Sequence, residues 1–286
     1  MQTFSYYHPT ELSALFELMQ QYPSAYKLLA GGTDLLVRLK SGRISPKAVI
    51  DIKAIPEIQG LIERVGEAFV IVALTLMADL ESDPRIQQSY PALAEAVHNV
   101  GSVQIRNRAT LAGNLCNASP AADSAPALLI YQASVVCLSP RGERTLALQD
   151  FITGPGKTAL AADEIVKQII LPIPPTNQAA AFARLTRRKG VDLATINLCC
   201  QVNTNGLTRF VLGAVGPMPV IVEEKDGLLS SPDESETAKR ACIESLMQKA
   251  TPITDVRASK EYRQAMLAVL GYRVLVTALK RLGSGA

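Results

Sequence analysis

The stretch KLLAGGTDLLVRL, residues 27–39, sets a short apolar run, a double glycine and a Thr-Asp pair directly before an amphipathic segment. The pattern predicts a strand, a tight turn and a helix start. Main-chain N–H groups of glycines at such a junction commonly cradle a phosphate. The spacing is neither G-x-G-x-x-G nor G-x-x-x-x-G-K-[ST], so neither common nucleotide loop accounts for it.

Working outward, ELSALFELMQQ places Leu12, Leu15, Phe16 and Met19 on one helical face, with Thr10 positioned to cap it. Gly42 is positioned to stop the helix that opens near Asp34. KAVIDI and AFVIVAL are strand-like, and PALAEAVHNV reads as a helix with Pro91 in its first turn. Residues 101–126 are rich in Gly, Asn, Ser and Ala, after which ALLIYQA resumes helix. SVVCLSPRGERTLAL reads as a hairpin turning at Pro140 to Gly142. DEIVKQIILPIPP is a strand whose proline cluster marks a domain boundary. AAFARLTRR, ATINLCCQV and TRFVLGAVG then read as successive antiparallel strands, and two helices follow them. The fold class expected is α+β, with one domain over residues 1–176, in parts of about 1–58 and 59–176, and a second over 177–286.

Composition narrows the function. The chain has 286 residues, 48% hydrophobic and 19% charged, an ordinary globular balance with room for two domains. Its net charge of +3 is scattered rather than gathered into a basic tract, which argues against nucleic acid as a partner. No apolar run approaches the roughly 18 residues that span a bilayer. MQTFSYYHPTEL lacks the basic and apolar regions of a signal peptide. The five cysteines form no C-x-x-C pair, which fits a reduced, cytoplasmic protein and argues against an iron–sulfur cluster or structural zinc in this chain. With only His8 and His98, metal chemistry by this chain alone is not expected.

TGPGKTAL, residues 153–160, imitates the end of a P-loop, but the required first glycine is Phe151, so a surface turn is the expectation. A better candidate is the pair formed by Gly31-Gly32-Thr33-Asp34 and the distant Ala112-Gly113-Asn114. Each sets small residues where a backbone could approach a ligand, and two such turns could hold the two phosphates of a dinucleotide. Turns of this kind also recur without any ligand.

The ordered set LLAGGTDLLV, SVQIRNRATLAGNLCNASPAADSAPALLIY, DEIVKQIILP and FARLTRRKGVDLATIN resembles the flavoprotein subunits of molybdenum hydroxylases. SPRGERTLALQDFITGPGKTAL resembles their bacterial xanthine dehydrogenase branch. The likeness runs over nearly the whole chain. It implies a two-part FAD-binding domain of the PCMH or vanillyl-alcohol-oxidase-like type, followed by a CO dehydrogenase flavoprotein C-terminal-like domain.

Residue by residue, the resemblance implies that Lys27, Leu28, Leu29, Ala30, Gly31, Gly32, Thr33 and Asp34 line the FAD phosphates and nearby flavin. Thr110, Leu111, Ala112, Gly113 and Asn114 complete that grip. Asp123 lies near sugar or ribityl hydroxyls, Val166 packs against a ring, and Arg184 stands where relatives often carry Lys. It implies no catalytic side chain and no metal ligand here. Electrons would pass from two-iron two-sulfur clusters through FAD to NAD or another acceptor. A molybdopterin-bearing large subunit and an iron–sulfur small subunit would be separate partners. A stand-alone flavin oxidase and a non-catalytic nucleotide-binding module are the alternatives.

Two positions depart from the family pattern. Its second motif usually reads T-I-G-G-N, and Ala112 replaces the first glycine. At φ > 0 that alanine would cost about 1 kcal/mol or more. Arg184 for Lys keeps the charge but changes its reach. Arg187 and Asp192 fit a strand-edge ion pair as well as a flavin contact. Cys116 follows the second motif and is a candidate flavin contact, against the plain reading of a small buried residue, and the plain reading of Tyr6-Tyr7 is core or interface packing.

Overall fold

A computed structural model describes residues 2–283. The first layer is β1 (Ser5–Tyr7), α1 (Leu12–Gln21), β2 (Tyr26–Leu29), α2 (Leu35–Lys40) and β3 (Ala48–Asp51), with the strands parallel in the order β1-β3-β2. Next come β4 (Ile62–Val65), β5 (Ala68–Val72), α3 (Met77–Ser82), α4 (Pro84–Ser89), α5 (Pro91–His98), α6 (Val103–Arg106), α7 (Leu111–Asn117) and α8 (Ser124–Ile130). They are followed by β6 (Ser134–Ser139), β7 (Gly142–Ala147), α9 (Leu148–Phe151), β8 (Ile152–Gly154), β9 (Lys157–Thr158) and β10 (Ile165–Pro172). These strands build an antiparallel sheet, β4-β5-β10-β6-β7, and the small hairpin β8-β9. The chain continues through β11 (Gln178–Leu185), β12 (Ile196–Asn203), β13 (Thr208–Gly213) and β14 (Val220–Glu224), paired antiparallel in that order, to α10 (Glu236–Met247) and α11 (Lys260–Gly283).

Two apolar cores result. One gathers Leu15, Ile50, Ile71, Met77, Tyr90 and Phe151; the other joins Leu198, Phe210 and Val222 to Ile243, Leu267 and Val274 of the last two helices. The continuous apolar run of β12 follows from covering on both faces. Leu198, Cys200 and Val202 belong to the second core, whereas Cys199, one residue out of step, belongs to the first. Asn197 and Gln201 share the face of Cys199 and donate hydrogen bonds to Ala122 and Ile130 carbonyls at the two ends of α8. Gly213, directly opposite Asn197, has no room for a side chain: a Cβ would lie 2.0 Å from Asn197 Oδ1. Glu95 of α5 accepts the Phe182 N–H at 3.0 Å and pairs with Arg281 of α11, which ties the second sheet to the first core again.

Several local expectations change. Glu11, not Thr10, occupies the N-cap of α1, without a side-chain cap bond, although Leu15, Phe16 and Met19 do form the buried face. The segment 101–126 contains α6, α7 and the start of α8. α3, α4 and α6 span only four to six residues, too few to display a helical period. TGPGKTAL forms the β8-β9 hairpin, in keeping with a turn. Tyr6 is exposed and so stands outside the core, its hydroxyl donating to Asp51 at 2.7 Å, whereas Tyr7 packs against the first core.

Asp51 closes β3. Burial would raise its carboxyl, but hydrogen bonds from the Lys53 side chain, Tyr6 and the Lys53 N–H outweigh that and hold it below the ordinary carboxylate value. A depressed native value stabilises the fold above the unfolded-state value, about 3.9. That contribution disappears as pH falls through the native value. Thermal midpoints of wild type and Asp51→Asn should therefore differ most at neutral pH and converge below about pH 4. A constant gap from pH 7 to pH 3 would rule out this linkage.

Candidate functional site

The β2–α2 junction and the start of α7 meet at a cavity of about 410 Å³. At the first junction the chain must leave a parallel strand and enter a helix within five residues. Gly32 achieves this at φ +74°, a conformation that L side chains rarely adopt. Gly31 is required for another reason: a Cβ there would stand 2.0 Å from the Arg108 carbonyl oxygen. Among the described residues, the N–H groups of Gly31, Gly32, Thr33 and Asp34 have no protein acceptor. They form a set of main-chain donors along one wall.

The second motif is a helix start rather than a turn. Thr110 is the N-cap of α7, and its hydroxyl accepts the Gly113 N–H at 3.1 Å. Leu111 donates to the Thr75 carbonyl at 3.1 Å, and Asn114 donates to the Thr110 carbonyl at 3.0 Å. The Ala112 N–H has no protein acceptor among the described residues. Ala112 is an ordinary helical residue without positive φ, so the penalty expected for alanine there does not arise. Gly113 keeps its own constraint, because a Cβ would stand 2.7 Å from the Thr110 hydroxyl.

Of the residues singled out from sequence, Lys27, Leu28, Ala30, Gly31, Gly32, Thr33, Asp34, Thr110, Ala112, Gly113, Asn114 and Val166 line this one cavity. Leu29 and Leu111 are not among its lining residues, and Leu111 is fully buried. Asp123 and Arg184 are not on the wall but are joined to each other at 2.8 Å, with Asn197 Nδ2 donating to Asp123 at 2.7 Å. Burial pushes the Asp123 carboxyl up, opposed by Asn197 and Arg184. Arg187 and Asp192 form an ion pair at 3.5 Å in the turn after β11.

Cys116 is exposed and lines the cavity, as its reading beside the flavin expects and its reading as a buried residue does not. Sequence reasoning missed other wall residues, among them Glu164 and Gly156. Arg144 holds Glu164 through two hydrogen bonds, at 2.6 and 2.7 Å, and keeps its carboxyl below the ordinary range. Gly156 belongs to the very stretch that imitates a P-loop, so its glycine content was the available signal. Arg38 lines the cavity as well and pairs with Asp34 at 3.7 Å.

Residues 2–174 match the FAD binding domain in molybdopterin dehydrogenase, and residues 180–278 match the CO dehydrogenase flavoprotein C-terminal domain. The chain belongs to this family. It is a FAD-binding oxidoreductase subunit of the molybdenum hydroxylase type. Among its relatives in the family, the xanthine dehydrogenase FAD-binding subunit of Escherichia coli O157:H7 is 31% identical over 98% of this chain and 97% of its own. The nicotinate dehydrogenase FAD-subunit of Eubacterium barkeri is 31% identical over 100% of this chain and 99% of its own. Among solved structures, the carbon monoxide dehydrogenase of Hydrogenophaga pseudoflava that lacks the Mo-pyranopterin moiety superposes with a TM-score of 0.88. It is 29% identical and covers 98% of both chains. The donor set fits FAD: unpartnered N–H groups and an amide suit a pyrophosphate, which offers only acceptors.

The two kinds of glycine requirement are separable by measurement. Gly42 has φ +70° with open space around it, so Gly42→Ala should cost about 1 kcal/mol of unfolding free energy. Gly31→Ala should cost clearly more, about 1–3 kcal/mol from overpacking against backbone. Equal losses in denaturant titrations would mean that the Arg108 carbonyl moves aside freely.

Proposed function

We propose that the chain holds FAD in this cavity and works as the flavin subunit of a heteromeric molybdenum hydroxylase acting on xanthine or a related N-heterocycle. The observation that carries the reading is the convergence of the Gly31–Asp34 N–H groups with the start of α7 in one cavity. Residues 27–34 and 110–114 take the pyrophosphate and its surroundings, and Val166 packs against an apolar ring. For Asp123 to take a sugar hydroxyl it must share a carboxylate that already accepts from Asn197 and Arg184.

Bound there, FAD supplies a group that takes electrons singly or in pairs, the chemistry needed between two-iron two-sulfur clusters and NAD or another acceptor. The chain's own residues bind and orient it; no side chain is assigned as a general base or nucleophile. The molybdopterin and the clusters reside on a large and a small partner subunit. Support comes from relatives named as one subunit of several, such as the carbon monoxide dehydrogenase medium chain of Hydrogenophaga pseudoflava. Relatives named for xanthine and nicotinate, both N-heterocycles, support the substrate class. Five free cysteines support a cytoplasmic setting. Among the described residues, no helix is long and apolar enough to cross a membrane. We also infer a domain boundary at residue 176, after the exposed Pro175, with the cofactor domain over 1–176 in parts of about 1–58 and 59–176, and the second domain over 177–286.

Gly32→Val should abolish flavin retention, because a β-branched residue is strained at φ +74° and blocks backbone approach. Wild-type flavin content in that variant, read from the visible spectrum, would remove the phosphate role from this junction.

The isolated chain should bind FAD yet show little dye-linked xanthine oxidation, with turnover appearing only when co-purified partner subunits are present. Substantial turnover by the isolated chain would establish a stand-alone oxidase instead.

A further inference from the structure

Behind the cavity wall, the Ser124 hydroxyl donates to Asn114 Oδ1 at 2.7 Å. Ser124 is fully buried at the first turn of α8, and among the described residues Asn114 is its hydroxyl's one partner. A hydroxyl buried among Ala, Pro and Leu costs stability unless it is paired. Its neighbour Asp123 is fixed by Asn197 and Arg184, so this end of α8 is anchored to the second sheet. Asn114 lines the cavity, and its Nδ2 has no protein partner among the described residues.

A primary amide has an acceptor side and a donor side of nearly the same shape, so packing alone sets its orientation poorly. Donation from Ser124 ties the oxygen inward and leaves the NH2 group for the cavity. A phosphate or carbonyl oxygen on a ligand favours that same orientation, because it accepts and does not donate. We propose that Ser124 is a positioning residue for cofactor binding: its hydroxyl holds the Asn114 amide with the donor side toward an electron-rich oxygen of the dinucleotide. Ser124 does not line the cavity and acts only through Asn114. This rests on the cavity being the FAD site.

The test uses the full chain freed of flavin and titrated with FAD. Wild type is titrated first, and failure to bind FAD there would overturn the cofactor reading together with this one. Given binding, Ser124→Ala should raise the FAD Kd about tenfold, the loss of one hydrogen bond to an electron-rich group. Ser124→Cys, which keeps the size but donates weakly, should lose about as much, and Ser124→Thr should retain most of the affinity. In an Asn114→Ala background, Ser124→Ala should change the Kd less than about twofold, since the group it positions is gone. Wild-type affinity in Ser124→Ala and Ser124→Cys would overturn the proposal while leaving the FAD site standing. So would a loss that persists undiminished without the Asn114 amide, because that is the mark of packing. Should the alanine variant not fold, the cysteine variant and its cycle with Asn114→Ala carry the same decision.

Discussion

The carboxylate of Asp123 governs how the two halves of the molecule meet. One oxygen accepts from Asn197 at 2.7 Å and the other from Arg184 at 2.8 Å, and these residues face each other across β11 and β12. Gly213, in register on the far side of Asn197, leaves room for its amide. The registers of three strands therefore converge on one dehydrated charge from the other domain. Taking such a charge out of water is repaid only while both partners are present, and removal of one typically costs about 3–5 kcal/mol. The arrangement is specific in a way that apolar contact is not: a one-residue slip of β12 would turn Asn197 toward the last helices.

The cavity wall carries the main-chain donors of Gly31–Asp34 together with the Lys27 side chain. Arg38 is engaged with Asp34 and is half-exposed, whereas the carboxylate of Glu164 is held by Arg144. N–H groups at a strand–helix junction carry no side-chain entropy to lose, and glycine lets a ligand approach them closely. Under the proposed function these donors take the phosphate where a P-loop would use its own loop, and Lys27 on the same wall adds a side-chain charge. The cost is sequence intolerance, since Gly31 and Gly32 are excluded from substitution for different reasons, one spatial and one torsional.

This first motif was legible because its requirements are local: a strand, a positive φ and a helix start within a few residues. The second was misread as a turn because Gly113 and Asn114 carry turn propensity. The features that make it a helix are the Thr110 cap and the Leu111 bond to Thr75, thirty-six positions away in sequence. β12 was legible from its apolar run, but the division of that run between two cores depends on both layers being in place. Asp123 and Arg184 were each visible as family positions. Their mutual pairing, across 61 residues, was not, since nothing in a single sequence ties a loop carboxylate to a particular strand.

The hairpin that imitates a nucleotide loop has a structural part in the site. Gly156 donates its N–H to the Ala118 carbonyl at 2.9 Å, and Ala118 is the left-handed C-cap of α7 at φ 44°. α7 is thus tied at its start by Thr75 and Thr110 and at its end by β8-β9, while Ser124 fixes the amide between those ends. None of these bonds needs a ligand. A site whose donors are already held loses little conformational freedom on binding, so more of each hydrogen bond is realised as affinity. The short helix, too brief to be stable alone, is held by neighbours as far apart in sequence as Thr75 and Gly156.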